Sequence, residues 1–157
     1  MRSRAAGALA RALPQGLLIG FQAYRVGVEM FLHQLWREGL VPRMLTFEGA
    51  NVDIWIGASA PLVAWIATRG RGGERLALAW SALGLLTLAH VVVRSALTAP
   101  GPMHLLDAEV TNRAIGIFPY TFIAGFLAPV AVALHVLALR ALAARLATPV
   151  MPKGFAA

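Results

Sequence analysis

Residues 13–40 read LPQGLLIGFQAYRVGVEMFLHQLWREGL, a run apolar enough to cross a bilayer apart from a few polar side chains. Within it Arg25, Glu29, His33 and Arg37 recur at four-residue intervals. On an α-helix such a row drifts by only about 40° per step, so the four share one slowly winding face. A charge at bilayer depth costs about 2.5 to 3.5 kcal/mol on insertion scales, and residues kept there mark a pathway, a relay or a site. The segment predicts a small integral membrane protein with a polar interior face.

Composition points the same way. The 157 residues are 59% hydrophobic and 13% charged, with a mean hydropathy of +0.69. Soluble domains carry about a quarter charged residues, which argues against a soluble protein. The length allows one domain of about four 20-residue spans with short connections. With no cysteine, the chain has no disulfide and no thiolate metal site. Arginine supplies 13 of the 14 Lys and Arg residues, a bias that fits GC-rich coding and a bacterial source. The formal charge of +7 is assigned to lipid headgroups and not to nucleic acid, since a basic membrane protein without a soluble domain carries its charge at the membrane surface.

Apolar segments place spans at about 13–36, 52–68, 76–97 and 115–139, which defines an all-α, polytopic transmembrane four-helix bundle over residues 1–157. The Val41-Pro42 pair is expected to stop the first span, and Ala99-Pro100-Gly101-Pro102 the third. The clusters Arg2, Arg4, Arg11; Arg69, Arg71, Arg75; and Arg140, Arg145, Lys153 fall on one side only if every segment crosses. The positive-inside rule makes that side cytoplasmic, with both termini inside a bacterial inner (plasma) membrane. Trp36 and Trp55 then fall at the outer boundary, Trp65 and Trp80 at the inner. The apolar run after Arg2 and Arg4 contains Gln15, Gln22 and Arg25 and lacks a small-residue cleavage motif, so cleavage as a signal peptide is not expected.

Given this topology, Arg25, Glu29, His33, Asp53, His90 and Arg94 are expected to line a polar pocket or pathway opening outward, with Glu48 and Asn51 in the outer loop. Arg25 and Glu29 lie near mid-membrane, where loop composition cannot account for them. Three readings stand for this pair: polar glue between helices, a proton or ligand pathway leading to His33, or a flat interfacial helix that the charge pattern disfavours. His90 and Arg94 repeat the four-residue spacing toward the outer end of the third span. His33 and His90 are the weak candidates for a metal or a bis-histidine haem, though they differ in depth by roughly 6 Å. His135 falls near the inner end and is not expected to join them, and no HExxH or paired Glu-x-x-His signature occurs. Thr46 or Asn51 is expected to cap the second span, with Asp53 favouring its positive end; alternatively Glu48 and Asp53 fold back to meet His33, His90 or Arg94.

The segment Met44-Leu-Thr-Phe-Glu-Gly-Ala-Asn51-Val-Asp53-Ile54, preceded by Phe21-Gln-Ala-Tyr-Arg25 and Val28-Glu29, resembles a family of uncharacterised bacterial integral membrane proteins. The Ala99-Pro-Gly-Pro, Phe118-Pro119 and Leu134-His135 stretches are similar to it too, so the resemblance covers most of the chain. It implies a membrane protein, brings no activity with it, and implies a chain shorter at the N-terminus than its relatives.

The functional expectation is non-enzymatic: a protein that binds or conducts a small polar solute or protons, or a subunit of a larger membrane assembly. The alternatives are a membrane oxidoreductase subunit that binds quinone or haem, and a structural scaffold. The expected partners are the lipid bilayer and other membrane proteins or further copies of the chain; the sequence names no cofactor.

Overall fold

The computed structural model describes residues 12–148, all helix, turn and loop, with no strand among them. The arginines at 2, 4 and 11 and Lys153 lie outside the described residues. Pro14, at φ −60°, starts the first helical segment, where its missing N–H costs nothing. That segment runs as α1 (Gln15–Gly20), a 3₁₀ turn (Phe21–Ala23) and α2 (Tyr24–Arg37). Its joints keep helical dihedrals, so it is one rod. One stripe of the rod is buried: Gln15, Leu18, Ile19, Gln22, Arg25, Glu29, Leu32 and Leu35. Gly39, at φ 70°, ends it before Pro42 is reached. Leu40 N–H donates to the Leu35 carbonyl (2.9 Å) and Gly39 N–H to that of Trp36 (2.9 Å), a Schellman closure that needs a left-handed residue.

Three further helices follow: α3 (Asp53–Ala67), α4 (Arg71–Leu97) and α5 (Ala128–Ala147), the last continuing a π-helical turn at Ile123–Leu127. Neighbours run antiparallel. Gly57 lies against Arg25 and Val26, Trp80 donates to Ser59 (2.9 Å), Gly84 faces His135, and Gln22 donates to the Ala131 carbonyl (3.1 Å). The first segment packs on α3 and α5, and α4 packs on the same two, which gives a square up-down-up-down bundle.

By length and composition, Arg71–Leu97 and Ile123–Ala147 can each cross a membrane, and α3 is a shorter apolar helix. The fourth segment, expected from about residue 115, starts later because Arg113 and Ala114 N–H groups turn aside to the Leu40 carbonyl (3.1 and 3.4 Å). Residues 114–116 form a separate 3₁₀ turn packed over Leu32, Leu35, Val41 and Leu45.

The register places the start of α3 deep in the bundle. Gly57 meets Arg25 and Val26, so Asp53 stands near the level of Glu29, two helical turns or about 12 Å below Arg37. Residues 38–52 therefore fold back along α2, and Thr46 and Asn51 are fully buried. This also moves Trp55, expected at the outer boundary beside Trp36, to a level about 13 Å deeper, where it is 72% exposed.

The bundle exposes many large apolar side chains and buries several polar ones within its apolar core. Leu17, Phe21, Trp55, Leu62, Leu86 and Phe126 are each more than half exposed, whereas Gln15, Gln22, Arg25, Glu29, Asp53 and His135 are buried. Small residues let the backbones approach: Ala60 on α3, Gly73, Ala77, Ser81 and Gly84 on α4, Ala131 and Ala138 on α5. A Cβ on Gly57 meets the Val26 nitrogen at 2.9 Å and Arg25 Cβ at 3.2 Å, whereas one on Gly20 meets only Ala64 Cβ at 3.6 Å. Gly57→Ala is accordingly expected to lose about 1 to 3 kcal/mol by overpacking. Gly20→Ala should be neutral or gain up to about 1 kcal/mol from helix propensity. Denaturation of both variants in the same mild detergent checks this pair, and equal losses would contradict the register.

Candidate functional site

The winding face of the first segment carries Arg25 and Glu29 into the centre of the bundle, where both are buried. Burying a guanidinium is tolerable only if it is paired and its donors are used. Arg25 pairs through Nη2 with Oδ2 of Asp53, the first residue of α3, and its Nη1 donates to Nε2 of His135 on α5 (3.0 Å). That bond makes Nε2 the acceptor, so the ring proton sits on Nδ1, which finds no partner among the described residues. Gly84, which has no side chain to block it, leaves room for the His135 ring. Trp80 packs beside it with ring centroids 5.5 Å apart.

The folded-back loop closes the other side. Asn51 Nδ2 donates to Glu29 Oε1 (2.7 Å) and to the Leu45 carbonyl (3.0 Å), while its Oδ1 accepts from the Asp53 N–H (2.9 Å). One amide thus fixes the acid of α2, the loop and the first free N–H of α3. The N-cap position is taken by Val52, not by Thr46 or Asn51 as expected; Asn51 holds the Asp53 N–H from one position upstream, and Thr46 donates to the Arg43 carbonyl (2.9 Å). Asp53 also lies where a helix favours an anion. Two carboxylate oxygens, Glu29 Oε2 and Asp53 Oδ1, remain buried without a partner among the described residues.

Above this cluster lies a cavity of about 140 Å³. Its polar edge is Tyr24, Arg25, Glu29 and Asp53; Leu88, Val92, Leu127 and Ala131 are among the apolar residues that wall it. Tyr24 donates to the Leu127 carbonyl (2.5 Å), tying the first segment to the π turn. On the opposite side of the cluster the interior is filled by Leu18, Ile19, Val63, Ala67, Ala77, Ala138 and Leu142.

Of the residues expected in one pocket, the structure brings together Arg25, Glu29 and Asp53, with Asn51 of the loop joining them. His33 stands apart, stacked on Phe47 (4.9 Å between centroids) with Nδ1 3.7 Å from Glu48 Oε1. His90 is exposed on α4; Arg94 is half-buried, and neither lines the cavity. The buried face of α4 is its small-residue row ending at Leu88, and His90 projects about 200° around the helix from it. Among the described residues no three His, Asp or Glu side chains gather as a metal site. His135 lies toward the inner end, level with about Leu18, yet contrary to expectation it joins the cluster, because the long Arg25 side chain reaches it.

These features define a helical bundle with a buried ion-pair cluster at the foot of a largely apolar cavity. The chain belongs to the family described as Domain of unknown function (DUF8737), whose model matches residues 3–143. No curated protein and no solved structure matches it.

Removing one partner of a buried ion pair leaves the other uncompensated, at a cost of about 3 to 5 kcal/mol. Asp53→Asn is expected to lose stability of that order, and Arg25→Leu with Asp53→Leu together to lose less than Asp53→Asn alone. Urea or thermal denaturation of the three proteins in detergent tests the sign of the difference.

Proposed function

We propose that the chain is a four-crossing protein of a bacterial inner membrane that binds a small amphipathic molecule within the bilayer. The observation that carries the reading is the cavity itself: apolar walls meet a polar edge holding unpartnered carboxylate oxygens. A ligand with an apolar body and a polar head suits both surfaces. The packed apolar cluster beyond Arg25 supports a binding site with one-sided access over a pathway through the bundle. The haem reading gains no support from this geometry, because His33 and His90 face no common space.

The membrane reading rests on the outward apolar surface and on helix length. The first segment, Gln15 to Arg37, spans about 34 Å at the usual rise, enough for a bilayer. Helix α3 covers only about 22 Å, and the folded-back loop supplies the rest of that crossing. Irregular backbone at membrane depth is tolerated where protein surrounds it, as it does Thr46 and Asn51. Arg69, Arg71, Arg75, Arg140 and Arg145 gather at one end of the bundle, with Glu74 the acid among them, 3.6 Å from Arg145. That asymmetry supports a cytoplasmic end there.

Because the chain has no cysteine, single-cysteine variants read topology directly. Leu105→Cys is expected to react with a membrane-impermeant maleimide on intact cells, and Gly72→Cys only after permeabilisation; the reverse pattern overturns the orientation. The binding reading is tested by mass spectrometry of lipophilic molecules that copurify in mild detergent. Ala124→Phe, at the exposed mouth of the cavity, should remove such a molecule while the fold is kept. A scaffold predicts no retained molecule and no effect of Ala124→Phe.

A further inference from the structure

The polar edge of the cavity holds two carboxylates against one guanidinium. Arg25 is engaged by Asp53 and His135, so Glu29 is the surplus acid. Its only partner among the described residues is the neutral amide of Asn51. An uncompensated charge in a low-dielectric interior is expensive, so Glu29 either carries a proton or is met by a cation. The titratable and charged groups facing it are Tyr24 and Arg25 on its own segment, Asp53 on α3 and, through Arg25, His135 on α5. Helix α4 turns Leu88, Val91, Val92, Ser95 and Ala96 to the cavity, none of them ionisable.

Three features of the cavity fit an ammonium group. Glu29 and Asp53 both line the cavity, and each has one buried carboxylate oxygen, Oε2 and Oδ1, without a partner among the described residues. Tyr24 contributes an aromatic ring to the lining, and aromatic rings attract cations. The volume of about 140 Å³ is close to that of an engineered cavity, about 150 Å³, that holds one benzene.

We infer that the cavity takes a small lipophilic ammonium ion with a body about one aromatic ring in size, and that this cation and a proton compete for Glu29. This rests on the cavity being a ligand site, as proposed above. On binding, the Oε2–H bond of Glu29 breaks and its proton leaves to bulk water, while ammonium N–H groups bond to Glu29 Oε2 and Asp53 Oδ1. One positive charge enters as one departs, so the buried charge is unchanged. The exposed residues Val92 and Ala124 mark the mouth, which faces the same surroundings as the apolar exterior.

The test is calorimetry, with proton release followed in weak buffer, on the purified chain in mild detergent, using benzylammonium, benzyl alcohol and benzoate. Binding is counted only where Ala124→Phe abolishes it. Benzylammonium is expected to bind at least about tenfold tighter than benzyl alcohol, to release up to about one proton per cation, and to weaken as pH falls. Glu29→Gln should lose the proton release and bring benzylammonium down to the affinity that benzyl alcohol shows for the wild-type chain, with folding checked separately by circular dichroism and thermal denaturation. If Glu29→Gln does not fold, proton release by the wild-type chain decides. Equal binding of cation and alcohol, binding without proton release, or preference for benzoate overturns this inference and leaves the cavity as a ligand site. If no compound binds in a manner sensitive to Ala124→Phe, both this inference and the binding reading fall.

Discussion

A guanidinium at the centre of an apolar bundle has to be neutralised from another part of the chain, and the ion pair of Arg25 with Asp53 does this. Arg25 sits about midway along the first helical segment, so its partner must stand at that depth too. Asp53 reaches it only because residues 38–52 fold back and α3 starts two turns below the end of α2. The cost of burying one charge thus sets the length of α3, the buried course of the loop and the position of Asn51. His135 completes the arrangement by accepting from Arg25 Nη1, which ties α5 to the first segment.

The bundle combines an apolar core with several buried polar groups and many exposed apolar side chains. In the bilayer proposed for this chain the hydrophobic effect would give helices little reason to associate, and close backbone approach and internal polar bonds would take over. The two are divided along the axis. Toward the arginine-rich end, small residues and the cluster around Leu18 and Ile19 pack the interior tightly. On the other side of Arg25 the cavity opens, lined on α4, on the π turn and on α5 partly by the small residues Ser95, Ala96, Ala124, Ala128 and Ala131.

Much of this was legible in the sequence, for physical reasons that also mark where the reading stopped. A four-residue row predicts one helix face, but only Arg25 and Glu29 face the interior; the row winds outward, leaving His33 half-buried and Arg37 exposed. The span topology groups Asp53 with them, although the depth at which it meets Arg25 depends on a fold-back that local sequence does not encode. Spacing alone gives no direction around the helix axis, which is why His90 and Arg94 read like an interior pair. The signal that separates them is the row Gly73, Ala77, Ser81 and Gly84, which marks the face where α4 is packed and leaves the histidine on the other. His135 was set aside by counting depth along the backbone, a count that ignores the reach of an arginine side chain.

The cavity and the surplus carboxylate have one origin. A helix α3 that began at the level of Arg37 would fill the space beside Glu29 with its own side chains. Starting at Asp53, it leaves that space to a loop whose inward contribution at Glu29 is one amide, Asn51. The π turn at Ile123–Leu127 widens the opposite wall, just before Pro129, whose missing N–H interrupts the α-helical ladder. The departures from regular helix therefore border the same volume, and each is held by a specific bond, Asn51 to Glu29 on one side and Tyr24 to Leu127 on the other. Structural glue alone would be served by a bundle closed over its ion pair. An apolar chamber bordered by Glu29, whose second carboxylate oxygen has no partner among the described residues, is what supports the proposal of a site that receives a molecule.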